Sequence, residues 1–333
     1  MTTYGGYTYN KVQLGRESTP GTAVAATTIW RGAFAMLEDD RERVTVEEQV
    51  GLLAPAERSY DTKLGAKLAM PGTPLTFEQV LHILEAGVGT VTPTGTGPYV
   101  YTYAFPTGTS VNTIKTYTIE AGNVQVPSDV HEMEYAFVTE FEFSASAGEA
   151  WEMSATWMGR QMTQTSFTGS LSLPSVEEAL LPKTKLYIDA SGGTIGSTQK
   201  VGVLMGASIK VSTGIQAVPV GDGSLYFAAH KFTQPEITFT LTLELEEDSG
   251  SSVVATERTA YRNNDVRLFR LDTPGSSSNR NFRLDWAGKY DQVGSYEDTD
   301  ENTTVQLEGH AVYSSADALF WQAVVTNNLA SVP

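Results

Sequence analysis

Carboxylates are the side chains in this sequence best placed to do chemistry, and several fall two residues apart: Glu140 and Glu142, Glu244 and Glu246, Asp298 and Asp300. Two acids cleave a glycosidic bond when they face each other across a cleft at roughly 5–10 Å. Residues two apart on a strand point the same way and leave no room for a substrate between them. These pairs therefore read as acidic, water-facing strand faces. The histidines His82, His131, His230 and His310 are far apart in sequence. His131-Glu132 has no second histidine four residues on, which rules out the helical zinc motif. Gly192-Gly193-Thr194-Ile195-Gly196 looks like a phosphate loop but lacks the glycine fingerprint and a following helix, so it reads as a hairpin turn. Asp298, Asp300 and Asn302 match the opening of a calcium loop. Thr303 then stands where glycine is needed and Gly309 where glutamate is needed. The chain has no cysteine, so disulfides, thiolate ligands and thiol nucleophiles are excluded. The reading is of a non-enzymatic protein with no catalytic, cofactor-binding or metal-binding residue.

The elements that position these side chains are strands. Thr, Ser, Gly, Val and Tyr are abundant and Lys is scarce, a balance that favours strands and turns. With 333 residues, the prior favours two domains. Hydrophobic residues at 41% and charged residues at 18% suffice for packed cores and are unlike a disordered chain. A net charge of −17 argues against a reader of DNA sequence, because such a surface releases no counterions from phosphates. It also favours solubility. No apolar stretch approaches the ~20 residues of a membrane helix. Met1 to Gly6 lack a basic segment followed by an apolar run, so the chain reads as soluble and not exported.

Periodicity fills in the elements. Val44 to Val50 reads as a strand and Gly51 to Arg58 as a long loop. Leu64, Ala66, Leu68 and Met70 alternate as a half-buried strand does. Thr76 and Gln79 have capping-box spacing, and Phe77, Val80, Leu81 and Leu84 form an apolar stripe closed by Gly87, which predicts a helix over 76–86. Strands are expected at 98–105 and 113–120. A hairpin is expected over 137–160. Phe137, Phe141 and Phe143 oppose Val138, Glu140 and Glu142, Ala147-Gly148-Glu149 turns the chain, and Trp151, Met153, Ala155 and Trp157 resume the alternation. In the second half Val203 to Val211 alternate. Ile237, Phe239, Leu241, Leu243 and Leu245 make an apolar face opposite Thr238, Thr240, Thr242, Glu244 and Glu246. Phe282, Leu284 and Trp286 repeat the pattern, as do Val305 and Leu307. Ser314-Ser315 could cap a C-terminal helix carrying Leu319, Phe320, Trp321, Val324 and Val325. The halves share this style without a residue-level repeat.

The run Leu14-Gly15-Arg16-Glu17-Ser18-Thr19-Pro20-Gly21-Thr22-Ala23-Val24-Ala25-Ala26 resembles the N-terminus of major tail tube proteins of long-tailed phages with non-contractile tails. The likeness continues through Glu38–Arg43, Gly51 and the Leu75-Thr76-Phe77-Glu78-Gln79 segment. It resumes at Lys185-Leu186-Tyr187-Ile188-Asp189, Gly192-Gly193-Thr194 and Gly206-Ala207-Ser208-Ile209. The resemblance implies a mainly β chain of tube-type β-sandwich or half-barrel domains with short flanking helices. The expected division is an N-terminal arm at 1–35, a first tube-like domain at 36–165, a linker at 166–182 and a second tube-like domain at 183–333.

It further implies a virion protein, made in the host cytoplasm, that assembles with itself into stacked rings. These are hexamers, or trimers of two-domain chains, that carry DNA during ejection. The expected partners are a tape-measure protein and tail terminator or tip proteins. DNA would meet the protein only as it slides through, and no cofactor or membrane insertion is implied. Glu140, Glu142, Glu152, Glu244 and Glu246 are the candidates for an acidic lumen that repels DNA. Leu14, Thr19, Pro20, Val24, Leu37, Arg41, Arg43, Leu52 and Leu53 are the candidate inter-subunit contacts. Deleting residues 1–30 is expected to leave folded domains that no longer form tubes. The rival reading is a carbohydrate- or receptor-binding β-sandwich of a phage tail.

Overall fold

The alternating runs become strands in a computed structural model of the protein, which describes residues 4–54, 57–247, 252–299 and 301–333. The first half contributes β1 (Asn10–Arg16), β2 (Thr28–Ile29), β3 (Glu38–Asp39), β4 (Glu42–Thr45), β5 (Ser59–Lys63), β6 (Ala66–Pro74), helix α1 (Val80–Gly87), β7 (Tyr99–Ala104), β8 (Tyr117–Asn123), β9 (Val130–Ser146), β10 (Glu152–Gly159) and β11 (Met162–Thr165). The second contributes β12 (Lys185–Ala190), β13 (Gln199–Lys200), β14 (Leu204–Ser212), β15 (Ile215–Val218), β16 (Ala229–Phe232), β17 (Glu236–Glu244), helix α2 (Val253–Asn263), β18 (Arg267–Pro274), β19 (Asn281–Thr299), β20 (Asn302–Ala311) and β21 (Trp321–Asn327).

One inner sheet runs through both halves in the order β3, β6, β10, β9, β14, β17, β20, β19, antiparallel throughout. An outer layer covers one face. It is β2, β1, β8, β9 and β11 in the first half. In the second half it is β13, β12, β18, β19, β21 and β7. The long strands β9 and β19 serve both layers. β9 pairs with β8 up to Ala136 and with β10 from Phe137. Beside that change Tyr135 adopts φ 57°, a backbone region rare for a bulky residue. Its N–H donates to the buried Glu17 carboxylate at 2.8 Å.

The alternation places Phe141, Phe143, Ile209, Leu241 and Leu307 between the layers, all buried. Phe143 packs on Phe282, with ring centroids 5.3 Å apart, and Phe141 on Trp321 at 6.1 Å. One core therefore extends across both halves. Each side chain of this size contributes about 1.5–3 kcal/mol on burial.

The halves follow a single plan. Pairings β1–β2, β1–β8, β3–β6, β6–β10, β8–β9, β9–β10 and β9–β11 recur as β12–β13, β12–β18, β14–β17, β17–β20, β18–β19, β19–β20 and β19–β21. The self-paired hairpins β4–β5 and β15–β16 hold the same place in the order, as do α1 and α2. A bulge recurs too. Thr139 is extra between Val138, opposite Trp157, and Glu140, opposite Thr156. Asp291 is extra between Tyr290, opposite Gly309, and Gln292, opposite Glu308. Each helix also buries a glutamate that meets an arginine and a tyrosine. Glu85 lies 2.9 Å from Arg16 and accepts from Tyr117 Oη at 3.2 Å. Glu257 lies 2.7 Å from Arg267 and accepts from Tyr290 Oη at 2.9 Å.

Several expectations need correction. The segment expected as an arm contains β1, which pairs along its length with β8 and buries Val12 and Leu14. Deleting residues 1–30 would strip an integral strand from the first half. The helix begins at Val80, later than expected, after a turn in which Thr76 makes the expected contact, its hydroxyl accepting the Gln79 N–H at 3.2 Å. The expected C-terminal helix is strand β21, paired with β19 and β7. No helix among the described residues is long and apolar enough to cross a membrane.

Candidate functional site: the polar face of the inner sheet and its edges

The face of the inner sheet turned away from the core is polar because the same alternation that buries Phe and Leu presents Ser, Thr and Glu on the other side. Cross-strand register assembles it. Glu152 lies opposite Ser144, Ser154 opposite Glu142 and Thr156 opposite Glu140. Lys210 lies opposite Glu142 and Ser212 opposite Glu140. The row continues with Thr240 opposite Glu308, Thr242 opposite Gln306 and Glu244 opposite Thr304. Of the five expected glutamates, Glu140, Glu142, Glu152 and Glu244 thus share one face. Glu246 lies beyond the end of β17, outside the ladder. Glu308 belongs to the face and was missed, although the alternation of Val305 and Leu307 already placed it opposite the core.

Local partners hold part of this face in place. Lys210 Nζ sits 3.1 Å from Glu140 Oε1, and Ser208 Oγ donates to Glu142 Oε1 at 2.7 Å. A shallow depression of about 240 Å³ lies among Ser144, Glu152, Ser208 and Thr242. Glu140 and Glu142 stand next but one along β9, on the same side of the strand. A water-facing acidic surface is what this arrangement supports.

The histidines fall in four settings. His82 is buried on α1, His131 lies 3.8 Å from Asp129, His230 packs edge-on against Tyr135, and His310 contacts Asp291 at 2.8 Å. The Gly192–Gly196 segment is the connection between β12 and β13, pinned where Asp189 accepts the Gly196 N–H at 2.8 Å and Asp317 the Gly192 N–H at 2.9 Å. Asp298 caps the β19–β20 turn by accepting the Glu301 N–H at 2.9 Å. Asp300 lies outside the described residues.

The expected contact residues divide by exposure. Leu14 and Leu37 are core residues of their own chain, so their side chains are not available to a neighbour, a correction that follows from burial alone. Thr19 and Pro20 stand exposed in a turn closed by Thr22 N–H to Thr19 O at 3.0 Å. Val24 is half-buried beside Thr118. Arg41 and Arg43 both reach Asp61, at 2.9 and 2.7 Å, and so brace the β4–β5 hairpin from within. Leu52 and Leu53, between those strands, are 73% and 109% exposed.

Two edges of the inner sheet differ from their counterparts. β14 runs nine residues between β9 and β17, whereas its counterpart β3 is a two-residue strand paired only with β6. The distal half of β9 has β10 on one side and β14 on the other. The distal half of β19 has β20 on one side, and no strand among the described residues pairs with the other beyond Gly288.

The family model described as phage tail tube protein matches residues 10–312, nearly the whole chain. Among curated proteins, none matches it.

Proposed function

The chain belongs to the phage tail tube protein family, and from that premise we propose that its copies close into rings and stack as the tube through which genomic DNA passes during ejection. The family is one of structural tail components rather than enzymes, and the protein is a structural part of the virion tail. The observation that carries the finer reading is the single polar, glutamate-bearing face that crosses both halves without a break. Facing a lumen, its surplus of carboxylates would repel DNA phosphates.

The repeated pairing plan favours residues 36–165 and 183–333 as two tube-like domains, the first of them completed by β1 and β2. Three chains then make a ring of six similar units. Six chains with an outer decorating domain is the second arrangement, and the shared inner sheet weighs against it. Stacking of rings is heterologous and propagates, so the assembly grows as a filament. The tape-measure protein would occupy the lumen during assembly, with terminator and tip proteins at the tube ends. Synthesis in the host cytoplasm and the absence of catalysis belong to the same reading.

Negative-stain microscopy of the concentrated purified protein tests it. Regular tubes with threefold ring averages are expected. Monodisperse particles that bind glycan in titration would establish the carbohydrate-binding rival instead.

A further inference from the structure

Within one chain, the distal half of β9 is flanked by β14 in a fixed register: Glu140 opposite Ser212, Phe141 opposite Val211, Glu142 opposite Lys210 and Phe143 opposite Ile209. The repeated plan assigns each of these strands a counterpart. The shared bulge sets Val138 against Tyr290 and Glu140 against Gln292. Following the ladders from there, Leu68 opposes Trp157 as Phe239 opposes Gly309, and Asp39 opposes Ala66 as Val211 opposes Ile237. Burial agrees with this alignment at Leu37 and Glu38 and departs from it at Asp39, exposed where Val211 is buried. Leu37 is buried as Ile209 is, and Glu38 is exposed as Lys210 is. Residues 32–40 are therefore the counterpart of β14, and β19 from Gln292 onward that of the β9 segment which β14 flanks, in shared register through Val293, after which β19 carries a second bulge that β9 lacks.

In an isolated chain both counterparts lack the neighbour that the internal pair supplies. β19 remains a strand there, extended by its hairpin with β20, but its second edge has no strand partner among the described residues. Residues 32–37 form no strand at all. Phe34, Ala35 and Met36 are only half-buried there. An open edge beside a segment that its relative shows to be competent as a strand is an unfinished ladder.

We propose that β19 beyond the bulge is completed by residues 32–40 of a second copy of this chain, in the register that β9 and β14 use internally, with Gln292 opposite Asp40 and Val293 opposite Asp39. The occupant is this chain because, among the described residues, the strand that fits such an edge, β14, has its counterpart at the far end of the same inner sheet. On this pairing the contact between copies repeats the contact between halves, so every step around the ring is the same and a closed barrel leaves no edge exposed. The proposal rests on the ring reading given above and specifies its seam.

Because the chain has no cysteine, introduced thiols report cleanly. Asp40→Cys with Gln292→Cys places two thiols across the seam, and Glu140→Cys with Ser212→Cys places them across the internal equivalent. Directly opposed strand residues have Cα separations of about 4.5–5.5 Å, within disulfide range. Mild oxidation of the assembled protein is expected to link more than half of the D40C/Q292C chains to another chain, and neither single variant. The internal pair should lock without joining chains. Hydrogen exchange on the unmodified protein gives a second readout. Amides at 32–40 and 291–299 should slow at least ~10-fold on assembly. Rings or tubes that form while the internal pair locks, the seam pair stays unlinked and these amides keep their rates would overturn the seam but leave the tube. An unmodified protein that assembles under no condition would remove both.

Discussion

His82 sits on α1 with its imidazole wholly inside the core, Nδ1 3.1 Å from Tyr117 Oη, which in turn donates to Glu85, and within reach of the Arg16 charge. Burial pushes its pKa down from 6.5 to about 3, and the positive Arg16 adds to the shift. Between those values the unfolded chain binds a proton that the folded chain refuses. Stability is therefore complete above pH 6.5 and is lost as pH falls, at about 1.4 kcal/mol per unit. Glu85 acts in the opposite sense, because burial raises its pKa against the pull of Arg16. Urea unfolding at pH 7 and pH 5.5 should show a loss of about 1 kcal/mol that His82→Gln removes. An identical loss in both proteins would mean that His82 is not the responsible group. Neither this buried histidine nor the task of Glu17 was legible in the sequence. Glu17 stood out only as part of a run of small residues. In the fold its carboxylate accepts from Gly21 N, Thr116 Oγ1, Thr118 Oγ1 and Tyr135 N. Those partners lie up to 118 positions away, beyond what local spacing carries. The glutamates of the polar face were legible, because alternation alone decides which side of a strand they occupy.

At the scale of elements, strands with strict alternation, such as β9, β10 and β17, could be read directly. Elements defined by distant partners could not. The run Leu319, Phe320, Trp321, Val324, Val325 allowed a helix by spacing, but buried Trp321, Ala323 and Val325 show the period of two imposed by β19 and β7. The repeat was hidden for a related reason. Sheet pairing asks for alternation and register, not particular residues, so Trp157 and Gly309 fill one slot and Phe141 and Val293 another. In the β4–β5 hairpin the strands pair with each other, and Leu52 and Leu53 lie between them largely in water. Covering two such leucines contributes about 3–6 kcal/mol per chain, enough to hold ring to ring when repeated around a circumference. L52D/L53D should change unfolding free energy by less than ~0.5 kcal/mol yet yield single rings in place of tubes. Tubes of ordinary length from this variant would exclude the hairpin from stacking.

For the whole molecule, the polar face matters as a field and not as separate residues. Glu140, Glu142, Glu152, Glu244 and Glu308 share it with Lys67, Lys210, Lys289 and His310, of which Lys67 is engaged by Asp40, Lys210 by Glu140 and His310 by Asp291. In the ring proposed above, the surplus carboxylates of every copy would make a negative wall in a confined space, where fields add. In the proposed tube a DNA duplex would meet a wall whose acids outnumber its cations, and should move freely. Reversing the sign should convert the wall into a binding surface without disturbing the core, since these side chains all point away from it. E142K/E244K/E308K is thus expected to assemble tubes of normal diameter in which DNA release slows at least ~10-fold at low ionic strength and recovers as salt screens the contacts. Release from particles carrying the variant, followed at two salt concentrations, measures this directly. Release at the original rate in low salt, from tubes of normal shape, would place the glutamate face outside the channel.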